Sequence, residues 1–498
     1  MNTDTAAINA VDRIAAVARA TPDHPAIIAG DLRWTYSELI ARVDSVAASL
    51  APHIAVDDSS VPRMGLACPD GVGYIVLSLA LLRLGVCVAP IASELAEAER
   101  AHLVQSLGLA KLVVGPGFDW ADAPGDASTI ACELDGSEPA SVVVRSHVSA
   151  AQAVVDEAAF AALGPAFIRF SSGTTGASKG VVLSHRSLLD RVGTANAALG
   201  IAPADRVIWI LPMAHHFAVS MMLYLTHGAT TVVVGSHFAA DVLDAAIAHG
   251  GTVLYGSPFH HMMLAGDDSG RAWPTLRLSV STAAALTPPV AEAFTRRFGI
   301  APTQALGIIE VGLPAINLRH AADKPTSIGR AVPGMAIELR DDDGQIVAPG
   351  EVGQLHLRGP GMFDAYFQPW SLRDEQLTSD GWFATGDLAR ADADGDLYLV
   401  GRLKSVINVA GLKCFPEEVE AVLIEHPQVK AVRVFGIAHP QVGSAVAAEV
   451  VPTDASDPPK ARTLIAWCKD RLAAYKRPMQ ISFVEALRLT ASGKIKRS

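Results

Sequence analysis

The chain is predicted to be α/β: a large N-terminal layered α/β domain with a small barrel-like piece, then a small C-terminal α+β domain. Three observations predict this. Up to about residue 240, apolar β-branched runs alternate with helical patterns, as in a layered core. From Gly350, "GEVGQLHLRGPGMF" alternates in short pieces broken by glycine, which suits small antiparallel or barrel-like structure. Near Gly401 the texture changes to short strands, a helix and two longer apolar runs.

Taken in order, "VDRIAAVARA" has helical spacing, while "AFIRF", "VIWIL" and "GATTVVVG" read as strands. The apolar run from Tyr74 is divided by Arg83, and Gly85 and Pro90 end its helical part. That predicts a buried helix rather than a membrane span. Past Gly401, strand and turn alternate until a helix opened by Pro416, with Glu417, Glu418 and Glu420 at the positive end of its dipole. "VKAVRVFGI" and "GSAVAAEVVP" follow as strands, then a "DASDPP" break and the helical "KARTLIAWCKDRLAAY". The expected division is 1–403 and 404–498, the second part being about 95 residues and able to bury its own core.

Composition narrows the function classes. Half of the 498 residues are hydrophobic, and the net charge of -11 argues against a nucleic-acid-binding face. From Arg402 onward, 15 Lys and Arg stand against 9 Asp and Glu, a basic tail on an acidic body that suits an anionic small molecule. Five scattered cysteines without a CxxC pair predict neither a disulfide framework nor a zinc site. The first twenty residues lack a continuous apolar stretch, so no signal peptide is expected. The expectation is a cytoplasmic protein with no nucleic-acid or membrane partner.

Chemistry concentrates in "FSSGTTGASKG", residues 170–180. "GASKG" fits the G-x-S-x-G pattern, but a nucleophile elbow needs a helix after the turn and "GVVLS" reads as a strand. A Walker loop needs Gly immediately before Lys and Ser or Thr after it; Ser178 and Gly180 occupy those places. A plain turn has little use for so many hydroxyls. Phosphate binding uses all of them: glycines admit backbone amides, hydroxyls add donors and Lys179 supplies charge.

"SSGTTGASKG" resembles the phosphate loop of the adenylate-forming superfamily of acyl-CoA synthetases, beetle luciferases and peptide-synthetase adenylation domains. "TPDHPAII", "WTYSEL", "LPMAHHF", "LGIIE", "TGDLA", "GRLKSVINVAGLKCFPEEVE", "YKRP" and "LTASGKIKR" carry the likeness from about residue 20 to the end. The resemblance implies that a carboxylic acid and ATP form an acyl-adenylate, from which the thiol of coenzyme A displaces AMP. It implies that Ser171, Ser172, Gly173, Thr174, Thr175, Gly176 and Lys179 wrap the phosphates, and that Glu310, with Thr174, holds Mg²⁺. Ala284, Leu306, Gly307 and Ile309 would border the nucleotide; Asp387 and Arg402 would meet the ribose. Lys494 would bridge carboxylate and phosphate during adenylation, Lys404 would be the hinge, and His215 would gate the acyl and pantetheine region. Pantetheine would pass Gly411, with Lys413, Lys476 and Arg477 as candidates for the CoA phosphates.

Ala218 stands where amino-acid-activating members carry an aspartate, so an unpaired ammonium would be costly there. Asn408 replaces a lysine associated with the luciferase reaction. The resemblance therefore implies a CoA ligase for a hydrophobic acid that is not an amino acid, a monomer or homodimer. Two segments depart from the pattern. "LGIIE" lacks the aromatic and the hydroxyl of Tyr-Gly-x-Thr-Glu, and Thr282–Ala285 replace a Gly-Gly-Ala-Pro stretch. A protein that mainly transfers a preformed adenylate to CoA, and a non-catalytic adenylate-binding relative, remain the alternatives.

Overall fold

The computed structural model describes residues 8–54, 61–120, 122–135, 139–148, 155–170, 179–409, 412–439, 443–469 and 471–488. They divide into two compact units. The first takes residues up to 171 with Lys179–Ala336 and Arg358–Leu377; the second takes Ile337–Leu357 and Thr378 onward.

The first unit is built on two sheets, each of nine strands among the described residues. One has a parallel centre of Thr303–Ile308, Leu278–Ser281, Val253–Gly256, Arg206–Trp209, Thr230–Val233 and Pro25–Ala29. The other centres on Arg63–Ala67, Cys87–Ile91, Lys111–Val114 and Pro165–Phe170. These strands read as nearly continuous apolar runs because helices cover parallel sheets on both faces. Val72–Arg83 is such a helix, with ten of its residues buried. No described helix is long and apolar enough to cross a membrane. In open parallel sheets the groups that meet ligands gather beyond the carboxyl ends of the strands. Here those ends deliver Asp70, Glu94, His215, Thr282–Ala285 and Glu310.

The second unit corrects one expectation. The barrel-like piece is an open sheet of Ala336–Arg340, Val352–Arg358, Phe383–Ala391 and Leu397–Arg402. Closure is unnecessary because Leu388 and Val400 bury their side chains against Phe415, just ahead of the helix Pro416–Ile424. Beyond it, Val429–His439 and Gly443–Pro452 pair antiparallel, and Gln480–Phe483 adds in parallel. Pro416 opens its helix as expected. The next helix, Ala461–Lys469, is shorter than its pattern suggested; Arg477 donates to the carbonyls of Lys469 and Leu472 at that end. All five cysteines lie buried as packing residues.

Candidate active site

The phosphate-loop segment joins two paired strands, with Arg169 opposite Val181 and Phe170 opposite Gly180. That hairpin matches the sequence expectation and leaves no helix for a nucleophile elbow. Ser171, Ser172, Gly173, Thr174, Thr175 and Gly176 fall outside the described residues, as do Gly411 and Lys494. Lys179 is described, and its Nζ lies 4.0 Å from the ring centroid of Tyr366, a cation–π contact that keeps the charge beside the loop.

The same tyrosine reaches Glu310. Its hydroxyl donates to Glu310 Oε1 at 2.9 Å, and burial together with the neighbouring carboxylate raises its pKa. The Glu310 turn is fixed from beneath by Arg191. Three of its N–H groups donate to the carbonyls of Gly361, Ile309 and Glu310 at 2.9, 2.9 and 3.0 Å. Arg191 is only 2% exposed, and burial first, then Arg169, pulls its pKa down to about 9. Gly361 makes this possible. It has φ +73°, and a Cβ there would stand 2.4 Å from the Arg191 backbone. Phe363 N–H adds a bond to the Glu310 carbonyl at 2.7 Å. Glu310 Oε2 has no hydrogen bond among the described residues, and a carboxylate oxygen held at one side and open at the other fits a hard divalent cation.

Around this turn, Leu306 is buried, Ile309 half-buried and Gly307 exposed. A Cβ on Gly307 would meet only Thr282 Oγ1 at 3.5 Å, so packing does not demand glycine and the space is open to a ligand. Ala284 is exposed, and its neighbour Ala283 sits at φ +72°. That conformation favours glycine, and for alanine it costs about 1 kcal/mol.

His215 lies in the short helix Met213–His216, which continues into a π-helical turn, Phe217–Met221. Its Nε2 is 2.6 Å from Glu94 Oε1, and its carbonyl accepts a bond from Arg169. Asp70 Oδ1 accepts from Met213 N–H at 2.8 Å, fixing the start of that helix. Burial raises the pKa of Asp70, with Glu94 contributing. Burial opposes ionisation of Glu94 as well, but the bond and charge of His215, with a backbone bond and Ser93, together outweigh it and the pKa falls.

In the second unit Asp387 and Arg402 are cross-strand partners, joined by an ion pair of 2.6 Å. Lys404 is exposed in a single turn, Leu403–Ser405. Lys413 pairs opposite Asn408 on a short strand. Lys476 is bonded to Glu418, and Arg477 to the two carbonyls given above, so both already have local partners. Sequence reasoning missed Arg191, Tyr366 and Glu94. Arg191 alone left a signal: it falls on the buried stripe of its helix with His185, Leu188 and Ala195.

The AMP-binding enzyme family profile matches residues 14–367, and that of the AMP-binding enzyme C-terminal domain matches 418–494. A sulfoacetate–CoA ligase of Cupriavidus necator is 33% identical over 337 residues, covering 67% of this chain and 66% of that protein. A feruloyl-CoA synthase of an Amycolatopsis species is 29% identical over 489 residues, covering 96% and 95%. The o-succinylbenzoate-CoA synthetase of Bacillus subtilis, solved with its acyl-adenylate intermediate, superposes with a TM-score of 0.82 at 24% identity, covering 97% and 96%.

Proposed function

The chain belongs to the AMP-binding enzyme family, and from that premise we propose that it is an AMP-forming acyl-CoA synthetase for a hydrophobic, non-amino-acid carboxylic acid. The carboxylate oxygen attacks the α-phosphorus of ATP, and the bond to pyrophosphate breaks. The CoA sulfur then bonds the acyl carbon, the bond to AMP breaks and the thiol proton is released. Such chemistry rests on positioning and on stabilising charge.

One observation supports the reading above the others: the Glu310 turn, clamped by Arg191 and the Tyr366 hydroxyl, with Lys179 over the ring of the same tyrosine. Mg²⁺ held at Glu310 would neutralise phosphate charge. Arg191 holds the turn, Tyr366 orients the carboxylate, and Lys179 supplies a cation where the phosphate loop ends. Asp387 is assigned the ribose hydroxyls, Lys404 the hinge between 1–403 and 404–498, and Lys494 the bridging role in adenylation. His215, tied to Glu94, lines the acyl side.

Ala283 and the "LGIIE" segment favour a second reading, in which adenylation is weak and a preformed acyl-AMP is transferred to CoA. Pyrophosphate release on mixing enzyme, ATP, Mg²⁺ and each of a panel of acids decides between them. Release with at least one acid, lost in Lys494→Ala while thioester formation from supplied acyl-AMP persists, is expected. Thioester from acyl-AMP without pyrophosphate release leaves the second reading. Neither activity overturns both.

A further inference from the structure

Arg169 is the penultimate residue of the strand that leads into the phosphate loop, and the mechanism above does not use it. Strand alternation sends Ile168 and Phe170 into the apolar cluster around Phe367. Phe167 and Arg169 face the other way, with the Phe167 ring 6.2 Å from that of Phe217. There one guanidinium N–H donates to the His215 carbonyl, and the charge of Glu310 acts on the same group.

Two cations stand close together here, one buried and one half-buried, and they are treated differently. Arg191 spends three N–H groups on three carbonyls. Arg169, half-buried, makes one hydrogen bond and no ion pair among the described residues. A guanidinium has further donors to offer. Arg169 is half-buried rather than enclosed among the described residues, so part of it meets space that water reaches. Burial pushes its pKa down only to about 10, so it stays cationic at neutral pH. Glu310 offsets this charge only from beyond ion-pair distance, so a half-buried cation is left without a bonded counter-ion, and a ligand anion arriving beside it would relieve that.

The position says which anion. Arg169 lies between the backbone of His215, on the acyl side, and Glu310, on the metal side. The reacting end of the acid must sit at that junction, beside the α-phosphate that it attacks, and it is the anion on the His215 side. We propose that Arg169 binds the carboxylate of the acid substrate and presents it for adenylation. The planar fork matches a carboxylate bidentately, which a lysine cannot do. The inference rests on the synthetase reading and adds a site to it: an apolar body on the His215 side, with one charge at the arginine. Once the adenylate forms, the acyl oxygen is neutral and the contact weakens, so Arg169 serves the first half-reaction.

The test measures equilibrium binding by calorimetry, using ferulic acid, dodecanoic acid and their primary amides, with the wild type, Arg169→Gln and Arg169→Lys. Wherever an acid is turned over, KM for acid and for ATP is measured as well. The expected result is an acid that binds the wild type better than its amide. Arg169→Gln should lose about tenfold to hundredfold for the acid and leave the amide unchanged, with Arg169→Lys in between. KM for ATP, and thioester formation from synthetic acyl-AMP, should stay within about threefold. Acid and amide weakening together, an effect confined to ATP, or a wild type without preference for the acid would each overturn the proposal. A wild type that prefers the acid yet releases no pyrophosphate would overturn the synthetase reading alone.

Discussion

Replacing Arg191 by lysine tests whether the Glu310 turn is held as described. The substitution keeps the charge and most of the stem but retains one donor direction where three carbonyls are served. Two carbonyls lose a charged donor, and hydrogen bonds to charged groups contribute about 1.5–3 kcal/mol each. Water entering the gap would recover part of this, so a loss of about 2–4 kcal/mol is expected. Phe363 N–H still serves the Glu310 carbonyl, but Gly361 has no side chain and its close approach leaves little room for anything else to rearrange. Chemical denaturation followed by tryptophan fluorescence reads the loss. Acid-dependent pyrophosphate release read at increasing Mg²⁺ should need more Mg²⁺ for half-maximal rate, since Glu310 no longer has a fixed backbone. A variant within about 0.5 kcal/mol of wild type, with unchanged Mg²⁺ dependence, would refute the reasoning.

Other outcomes follow from the same geometry. Ala283→Gly should stabilise the protein by about 0.5–1 kcal/mol, because glycine removes the left-handed strain but loosens the unfolded chain; an unchanged denaturation midpoint would count against strain at φ +72°. Tyr366→Phe keeps the ring under Lys179 but loses the bond to Glu310, and should raise the Mg²⁺ needed for half-maximal activity about fivefold and lower stability by about 1–2 kcal/mol. Asp387→Ala should raise KM for ATP about tenfold and leave KM for CoA alone, measured by initial rates. His185, His260 and His261 have pKa values pushed down to about 4 by burial. Depressed pKa values make their contribution complete above about pH 6.5 and lost as pH falls from there towards 4, up to about 3 kcal/mol each. A denaturation midpoint flat across that window would contradict this.

Much of the architecture was legible in the residues. The alternation of β-branched and helical runs announced the layered core, and Pro416 marked its helix start to the residue. The hairpin around the phosphate loop followed from "GVVLS" alone. Such features are local: periodicity, proline and glycine act on their own few neighbours. The closed or open state of the small sheet was not legible, because it depends on Phe415 covering Leu388 and Val400 from outside the sheet.

By itself, then, the sequence determined the fold class and the order of the motifs, and it singled out Lys179, Glu310, Asp387 and Arg402 as the groups expected at the site. What only the tertiary structure decided is how they are held. Arg191 reaches Glu310 across 119 positions, Tyr366 across 56, and Arg169 touches the His215 backbone across 46. No spacing rule spans such separations. An arginine on a helix stripe or in a strand looks the same in the sequence whether its donors are all engaged or free, and only the folded chain shows that Arg191 is satisfied by carbonyls while Arg169 keeps donors in reserve.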